Sequence, residues 1–122
     1  MIRGVPGSTK TTRARQLALE LGITDYYEAD MFFMMGGVYR WSASRLKDAH
    51  TWCQNKTKDA LLNGKSVIVA NCFVRKWEMK FYLDLAQELG IKVVVEVMEG
   101  KYDNVHGVPQ DKIEQMRKNF EY

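Results

Sequence analysis

The segment GVPGSTKTT, residues 4–12, matches a nucleotide phosphate-binding loop at all but one of its fixed positions. The pattern is G-x-x-x-x-G-K-[ST]; Gly4, Lys10 and Thr11 satisfy it, whereas Thr9 stands in place of the second glycine. The backbone N–H groups of such a turn converge on one anion, together with the positive end of the helix that follows. Residues 4–12 are therefore predicted to bind the phosphates of a nucleotide.

The predicted roles within the loop follow from the chemistry of its side chains. Lys10 offers a positive charge to the outer phosphates of ATP, and the Thr11 hydroxyl offers an oxygen ligand to Mg²⁺. The alternative is a plain turn in which Ser8 or Thr9 caps the next helix, but the strand start before the loop and the periodic helix after it favour the phosphate site. The predicted nucleotide-binding residues are Gly4, Pro6, Gly7, Ser8, Thr9, Lys10, Thr11 and Thr12.

Thr9 is the feature of the loop that opposes nucleotide binding. If its position requires a positive φ, a β-branched residue there costs about 1–2 kcal/mol. If the backbone must approach a phosphate closely, the threonine side chain obstructs that approach. We therefore expect the affinity for ATP to be lower by roughly tenfold or more than with glycine, while Lys10 and the helix end keep the site functional.

Hydrophobic spacing outside the loop alternates between helix and strand periods. Ala14, Leu17, Ala18 and Leu21 follow helical spacing and end at Gly22. Further helices are predicted from about residue 44 to 63, from 78 to 89 and after Pro109, and strands at residues 1–3, 26–29, 66–70 and 92–98. This order predicts a single α/β domain over residues 1–122, a P-loop NTPase-like three-layer sandwich. Its small parallel sheet of about four strands should carry helices on both faces, with a weak first strand.

The composition is that of an ordinary globular domain. The chain has 122 residues, 46% of them hydrophobic, and a formal net charge of +3, which is compatible with nucleotide or polyanion partners but requires neither. Cys53 and Cys72 form neither a metal-ligand spacing nor a disulfide framework, so a reducing, cytoplasmic location is expected. No apolar run reaches the ~20 residues that cross a bilayer, and we expect no membrane partner.

Asp30 follows the predicted strand 26–29 and should lie at the same sheet edge as the phosphate loop. A carboxylate there can accept the proton of a hydroxyl group that attacks the γ-phosphate. The same residue type also caps helices and turns. From spacing alone the two interpretations have equal weight.

The chain resembles the phage-type polynucleotide 5′-hydroxyl kinases and, more closely, the short AAA-type ATP-binding proteins of phages and animals related to them. The resemblance spans nearly the whole chain and rests on the segments GVPGSTKTT, EADMFF, GVYRW, LKDAHTWC, WEMKFY and HGVPQDKIEQM in that order. It implies that Lys10 and Thr11 bind phosphate and Mg²⁺ and that Asp30 is the general base. The implied reaction is transfer of a phosphoryl group from ATP to a single-stranded nucleic-acid 5′ end.

Three catalytic features of those kinases are missing from this sequence. Phe33 stands where they have an arginine after the base, Ala70 and Asn71 replace a carboxylate near the end of the third strand, and no arginine occurs in residues 98–109. Arginine clamping of the transferred phosphoryl group contributes orders of magnitude to the rate. Three interpretations stay open: an active kinase, a catalytically impaired nucleotide-binding or partner-binding module, and a kinase of small metabolites.

Several other side chains have both a functional and a structural interpretation. The aromatic residues near Asp30 could stack on bases, or cover the sheet end or an oligomer contact, and Arg40 and Arg45 could replace the missing arginine. His50 is favoured as a packing residue and His106 as a loop element, while Trp77 and Met79 are predicted core residues. The aromatic residues are Phe32, Phe33, Tyr39 and Trp41.

Overall fold

The computed structural model describes residues 1–6, 9–34, 37, 42–99 and 110–122, which contain one four-stranded sheet. Its strands are β1 (Ile2–Arg3), β2 (Asp25–Tyr27), β3 (Val67–Asn71) and β4 (Glu96–Val97). They lie in the order β2-β3-β1-β4, and every pairing is parallel. The predicted α/β fold with a small parallel sheet is confirmed.

The described ranges contain four α-helices: α1 (Lys10–Leu21), α2 (Leu46–Leu62), α3 (Lys80–Leu89) and α4 (Gln110–Asn119). Short 3-10 helices span Ala29–Met34, Ala43–Arg45 and Lys76–Met79. Helices α1 and α3 end where predicted, because Gly22 and Gly90 adopt left-handed conformations with φ of 66° and 67°. Pro109 lies outside the described residues. Within the described ranges, no helix is both long and apolar enough to span a bilayer.

The core lies on both faces of the sheet because successive side chains of β3 point to opposite faces. Val69 belongs to a buried cluster with residues of α2 and α3, whereas Ile68 and Ala70 belong to a second cluster with Ala14 of α1. Helices therefore pack against both faces, as the sequence predicts. The first cluster consists of Ala29, Phe33, Ala49, Cys53, Val69, Phe73, Met79 and Tyr82.

Two predicted strands are shorter than expected. Strand β2 stops at Tyr27, and Asp30 lies in the 3-10 helix that follows rather than at the end of a strand. Of the predicted strand 92–98, only Glu96 and Val97 form the β4 ladder with β1, which is just two residues long. Val94 and Met98 add one hydrogen bond each, to Met1 and Arg3. Val94 and Val95, expected to be buried, are 61% and 41% exposed.

Two residues that the sequence assigns to the core are exposed. Trp77 is 73% exposed and Leu21 65%, whereas Met79 is buried as predicted. Trp77 and Met79 share one 3-10 helix, in which residues two positions apart point in different directions, so that only one of them faces the core. Leu21 lies at the end of α1 beside the short first strand, where little sheet is present to cover it.

Candidate nucleotide-binding site

The phosphate loop starts at the carboxyl end of β1, between β3 and β4. The Gly4 N–H donates to the Cys72 carbonyl oxygen at 3.2 Å, which ties the start of the loop to the residue after β3. Val5 and Pro6 are buried. Gly7 and Ser8 lie outside the described residues. The loop therefore has a fixed first half in the position that the fold reserves for ligands.

Thr9 adopts the left-handed conformation that the sequence raised as one of two alternatives. Its φ is 67° and its ψ is 25°, and its carbonyl oxygen accepts the first helical hydrogen bond from the Arg13 N–H at 3.1 Å. Within the described part of the loop, the Thr9 side chain makes no capping hydrogen bond to α1. The backbone strain expected of a β-branched residue is thus present before any ligand binds.

We expect Thr9→Gly to stabilise the ligand-free protein. Glycine relieves about 1–2 kcal/mol of left-handed strain and gives back about 0.5–1 kcal/mol through its greater unfolded-state freedom, so the free energy of unfolding should rise by up to about 1.5 kcal/mol. Because the empty loop already carries the strain, urea unfolding should report this change more directly than ATP affinity does. Thr12→Gly is the matched control: Thr12 is helical, so the same substitution should destabilise by a few tenths of a kcal/mol. Equal changes for the two variants would contradict the interpretation.

Lys10 is the first residue of α1, and its ammonium group folds back onto the loop. The Nζ atom donates to the Gly4 carbonyl oxygen at 2.7 Å and to the Val5 carbonyl oxygen at 3.1 Å. A half-buried ammonium group needs such partners, and phosphate oxygens are stronger acceptors than neutral carbonyls. The first turn of α1 contains no acidic side chain, so its positive end is not neutralised within the helix. A nucleotide phosphate can therefore replace these carbonyls around Lys10.

Helix α1 is held against the sheet by an ion pair that the sequence did not indicate. Arg13 donates from Nε and Nη2 to the two carboxylate oxygens of Glu96 at 2.8 and 2.9 Å. These hydrogen bonds hold the pKa of the Glu96 carboxyl below its usual range. The pair connects the phosphate-loop helix directly to β4.

The 3-10 helix that carries Asp30 is anchored by Asn71, the last residue of β3. The Ala29 N–H donates to Asn71 Oδ1 at 2.8 Å, and Asn71 is only 8% exposed. Asn71 Nδ2 lies 3.7 Å from the Cys53 sulfur. The sequence singled out Asn71 as the loss of a carboxylate, whereas the structure gives it the role of an anchor for the predicted base.

Lys10 and the 3-10 helix that carries Asp30 are both tied to the end of β3. Lys10 donates to the Gly4 carbonyl oxygen at 2.7 Å, and the Gly4 N–H donates to the Cys72 carbonyl oxygen at 3.2 Å. The Ala29 N–H, next to Asp30 in the chain, donates to Asn71 Oδ1 at 2.8 Å. The phosphate loop and the 3-10 helix of Asp30 are therefore anchored to consecutive residues at the carboxyl edge of the sheet.

Thr11 belongs to a hydrogen-bonded chain that fits a magnesium ion. Its hydroxyl bonds to the Tyr26 phenol, which donates to the Glu28 carboxylate. A hydroxyl that donates its proton keeps lone pairs for a cation, and Mg²⁺ is usually held by one or two protein oxygens together with phosphates and water. The described residues contain no cluster of three acidic, histidine or cysteine side chains that would form a complete metal cage. The donor set thus suits magnesium bound jointly with a nucleotide.

A cavity of about 320 Å³ opens beside the loop on the β4 side. It combines apolar and aromatic side chains with the Arg117 guanidinium of α4, a residue that the sequence analysis missed because nothing in its spacing marks it. Phe120 and Tyr122 form a tilted ring pair with centroids 4.9 Å apart. The cavity and Asp30 lie on opposite sides of β1 in the strand order. The lining residues are Val5, Val97, Met98, Glu99, Arg117, Phe120 and Tyr122.

The other predicted candidates contribute less to the described site. Phe33 is buried in the core, and Phe32 packs beside it with the Arg45 guanidinium 4.6 Å from the centre of its ring. Arg45 also pairs with Asp48 at 3.5 Å. His50 is exposed on α2. Tyr39, Arg40, Trp41 and His106 lie outside the described residues.

A parallel sheet with a lysine-bearing loop at the start of its first helix defines a P-loop nucleotide-binding protein of the kinase-like class. Residues 1–105 match the AAA_33 family, described as an AAA domain, and the chain belongs to this family. The chain is also 30% identical to human NEDD4-binding protein 2 over an alignment that is 131 residues long. That match covers 99% of this chain but only 7% of the relative, so the chain corresponds to a small part of a much longer protein.

Proposed function

We propose that this chain binds ATP with Mg²⁺ and transfers the γ-phosphoryl group to the 5′-hydroxyl of a polynucleotide. The observation that carries the proposal is that the phosphate loop and the 3-10 helix of Asp30 are anchored to consecutive residues, Cys72 and Asn71, at the carboxyl end of β3. A cation for the phosphates and a carboxylate for the acceptor proton are the two groups that this reaction needs closest to the γ-phosphate. The resemblance to polynucleotide kinases supports the choice of reaction.

In the proposed complex, the nucleotide enters from the β4 side. The phosphates bind the loop N–H groups and the start of α1, and Lys10 exchanges its two carbonyl partners for phosphate oxygens. The adenine ring of the nucleotide lies toward the cavity lined by Val5, Phe120 and Tyr122. A cavity of this size is at the lower end of the range for small-ligand sites.

Asp30 acts on the acceptor, which enters from the side of β2 and β3. The hydroxyl oxygen forms a bond to the γ-phosphorus while the bond from that phosphorus to the β–γ bridging oxygen breaks, and ADP leaves. The hydroxyl proton passes to the Asp30 carboxylate. Bound magnesium supplies positive charge to the phosphate oxygens, with Thr11 and Glu28 as the protein groups that would hold it.

A polyanionic acceptor is favoured over a small metabolite by the charges near Asp30. Arg45 and Lys47 are exposed at the start of α2, next to the 3-10 helix that carries Asp30. The formal net charge of the chain is +3. Lysine and arginine contacts to the phosphate backbone supply most of the sequence-independent affinity for nucleic acid.

The test is transfer of radiolabelled γ-phosphate from ATP to an oligonucleotide with a free 5′-hydroxyl. We expect Asp30→Asn to reduce transfer by roughly 10²-fold or more, with ATP affinity within a few fold of the original protein. Asp84→Asn is the matched control, because Asp84 is exposed on α3 and pairs only with Lys80 among the interactions that the described residues display. A loss of ATP binding as large as the loss of transfer would make Asp30 a structural or metal-shell residue instead.

The alternative function is a nucleotide-binding or partner-binding module without turnover. It is favoured by the strained Thr9 backbone and by the bonds of Lys10 to its own loop. The relative NEDD4-binding protein 2 is itself named for a protein partner. Saturable ATP binding by the original protein, with no transfer to oligonucleotides or small hydroxyl compounds, would support this alternative over the kinase.

A further inference from the structure

The segment that follows α4 is bonded to the segment after β3 through both the backbone and the side chain of Glu121. The Glu121 N–H donates to the Val74 carbonyl oxygen at 2.8 Å, and the Lys76 N–H donates to Glu121 Oε1 at 2.7 Å. The Arg75 guanidinium lies 3.7 Å from Glu121 Oε2. Lys76 begins a 3-10 helix, whose first N–H groups have no acceptor within the helix, so the carboxylate supplies one. We call these bonds the tail clasp.

Arg3 holds the same segment from the side of the sheet. Its Nη2 atom donates to the Glu121 carbonyl oxygen at 2.5 Å, and its guanidinium carbon lies 4.5 Å from the centre of the Phe120 ring. The Nε and Nη2 atoms also donate to the Phe73 carbonyl oxygen. Arg3 directly precedes Gly4, the first residue of the phosphate loop. One buried guanidinium therefore joins the segment after α4 to the strand from which the phosphate loop starts.

Residues 72–76 are the common support of the phosphate loop and the tail clasp. Cys72 accepts the hydrogen bond from the Gly4 N–H of the loop. The tail clasp uses the residues two to four positions further along the chain. The segment after α4 is thus held at a fixed position relative to the phosphate loop by five consecutive residues.

The residues on either side of Glu121 form a wall of the cavity of about 320 Å³ beside the phosphate loop. They are Phe120 and Tyr122, whose ring centroids lie 4.9 Å apart. The Tyr122 hydroxyl bonds to the carboxylate of Glu99, another lining residue, and this bond raises the pKa of Tyr122. Glu121 is not one of the described lining residues. Because nucleobases stack on aromatic side chains, the positions of these two rings decide how well the cavity receives a base.

We propose that Glu121 is a positioning residue for the nucleobase. The tail clasp holds the rings of Phe120 and Tyr122 in place for the base while the phosphates occupy the loop. Rings that are ordered before the ligand arrives lower the entropic cost of binding. The inference rests on the proposed function, since it takes the ligand of the cavity to be the base of the bound nucleotide. Its effect should appear in the affinity for a nucleotide and not in the affinity for a phosphate chain without a base.

The test compares ATP with inorganic tripolyphosphate, each with Mg²⁺, by calorimetric titration of the 122-residue protein. Glu121→Ala removes both contacts of the carboxylate and should weaken ATP binding roughly five- to tenfold, the scale of one or two hydrogen bonds. The affinity for tripolyphosphate should stay within about twofold, because the phosphate loop keeps its own contacts. Glu121→Gln keeps an acceptor oxygen for the Lys76 N–H, so it should bind ATP within about threefold of the original protein.

The matched control is Glu114→Ala, because Glu114 is exposed on α4 and its removal takes away the same charge outside the tail clasp. Neither affinity should change by more than about twofold, and urea unfolding checks that each variant is folded during the titration. A second comparison uses a chain that carries Phe120→Ala and Tyr122→Ala. Adding Glu121→Ala to that chain should change ATP affinity by less than about twofold, since Glu121 acts through the two rings.

Each outcome supports or overturns the inference. Equal losses of ATP and tripolyphosphate affinity in Glu121→Ala would mean that Glu121 supports the fold or the phosphate loop, and the positioning role would be overturned. Binding of both ligands with no difference between Glu121→Ala and Glu114→Ala overturns the inference alone. Failure of the original protein to bind either ligand overturns the proposed function, and the inference with it.

Discussion

Lys10→Ala is expected to reduce phosphoryl transfer by roughly 10²- to 10³-fold, the scale seen when a preorganised group that stabilises transition-state charge is removed. ATP affinity should fall as well, by about tenfold or more, because the charge of Lys10 acts on the ground-state phosphates too. The transfer assay measures the first effect, and calorimetric titration with ATP and Mg²⁺ measures the second. Both effects follow from the position of Lys10 at the start of α1, beside the carbonyl oxygens of the loop.

The control for this substitution is Lys58→Ala, which removes the same charge from an exposed position on α2. It should leave transfer and ATP affinity within about twofold, since surface charges beyond a screening length contribute little. Lys10→Arg adds a second comparison, because it keeps the charge and replaces a compact ammonium group by a wide planar one. Unchanged ATP affinity in Lys10→Ala would contradict the assignment of this loop as the phosphate site.

Arg3→Met is expected to lower the free energy of unfolding by roughly 3 kcal/mol or more, because two carbonyl oxygens lose their hydrogen-bond donor at a cost of about 1–3 kcal/mol each. Arg3 is only 2% exposed. Its Nε and Nη2 atoms donate to the Phe73 carbonyl oxygen at 3.0 and 2.7 Å, and Nη2 also donates to the Glu121 carbonyl oxygen at 2.5 Å. The guanidinium carbon lies 4.5 Å from the centre of the Phe120 ring. Methionine fills much of the space but leaves both carbonyl oxygens without this donor.

The measurement is urea unfolding of Arg3→Met beside Arg75→Met. Arg75 also contacts Glu121, at 3.7 Å, but its side chain is 45% exposed. An exposed ion pair contributes about 0–1 kcal/mol, so the control should lose little stability. Similar losses for the two variants would mean that the chemistry of arginine, rather than its burial in β1, accounts for the effect.

The contacts of Arg3 also explain a strained backbone next to the site. Phe73 has a φ of 46° although it is a buried aromatic residue. Such conformations persist only where the surroundings fix them. The two hydrogen bonds from Arg3 hold the Phe73 carbonyl oxygen, and the preceding residue, Cys72, accepts the hydrogen bond from Gly4. Loss of Arg3 should therefore disturb the anchor of the phosphate loop as well as the core.

Features determined by neighbours in sequence were predictable. The ends of α1 and α3 at glycine depend on backbone preferences within one helical turn. The buried strand β3 was recognisable because a strand covered on both faces is apolar throughout. The alternation of these elements was sufficient for the parallel α/β fold, since a strand–helix–strand connection leaves few other arrangements.

The positions of Asp30 and of its anchor, Asn71, depended on a hydrogen bond between residues that are distant in sequence. Strand β2 ends at Tyr27 because the next segment turns into a 3-10 helix, in which the Ala29 N–H bonds to the side chain of Asn71. A side chain 42 residues away thus sets the element that carries Asp30. Local spacing contains no information on such a contact, so the sequence marked Asp30 as a candidate without its structural context.

By itself, the sequence determined the parallel fold and the phosphate loop, because each follows from preferences that act over a few neighbouring residues. Only the tertiary structure decided whether Thr9 is strained and how many of residues 92–98 pair with β1. It also decided which residue anchors the 3-10 helix that carries Asp30. The left-handed φ of Thr9 depends on how the loop joins α1, and the pairing of β4 depends on the length of β1. The physical reason is the same in each case: a hydrogen bond or packing contact between distant segments outweighs a local preference of a few tenths to about one kcal/mol per residue.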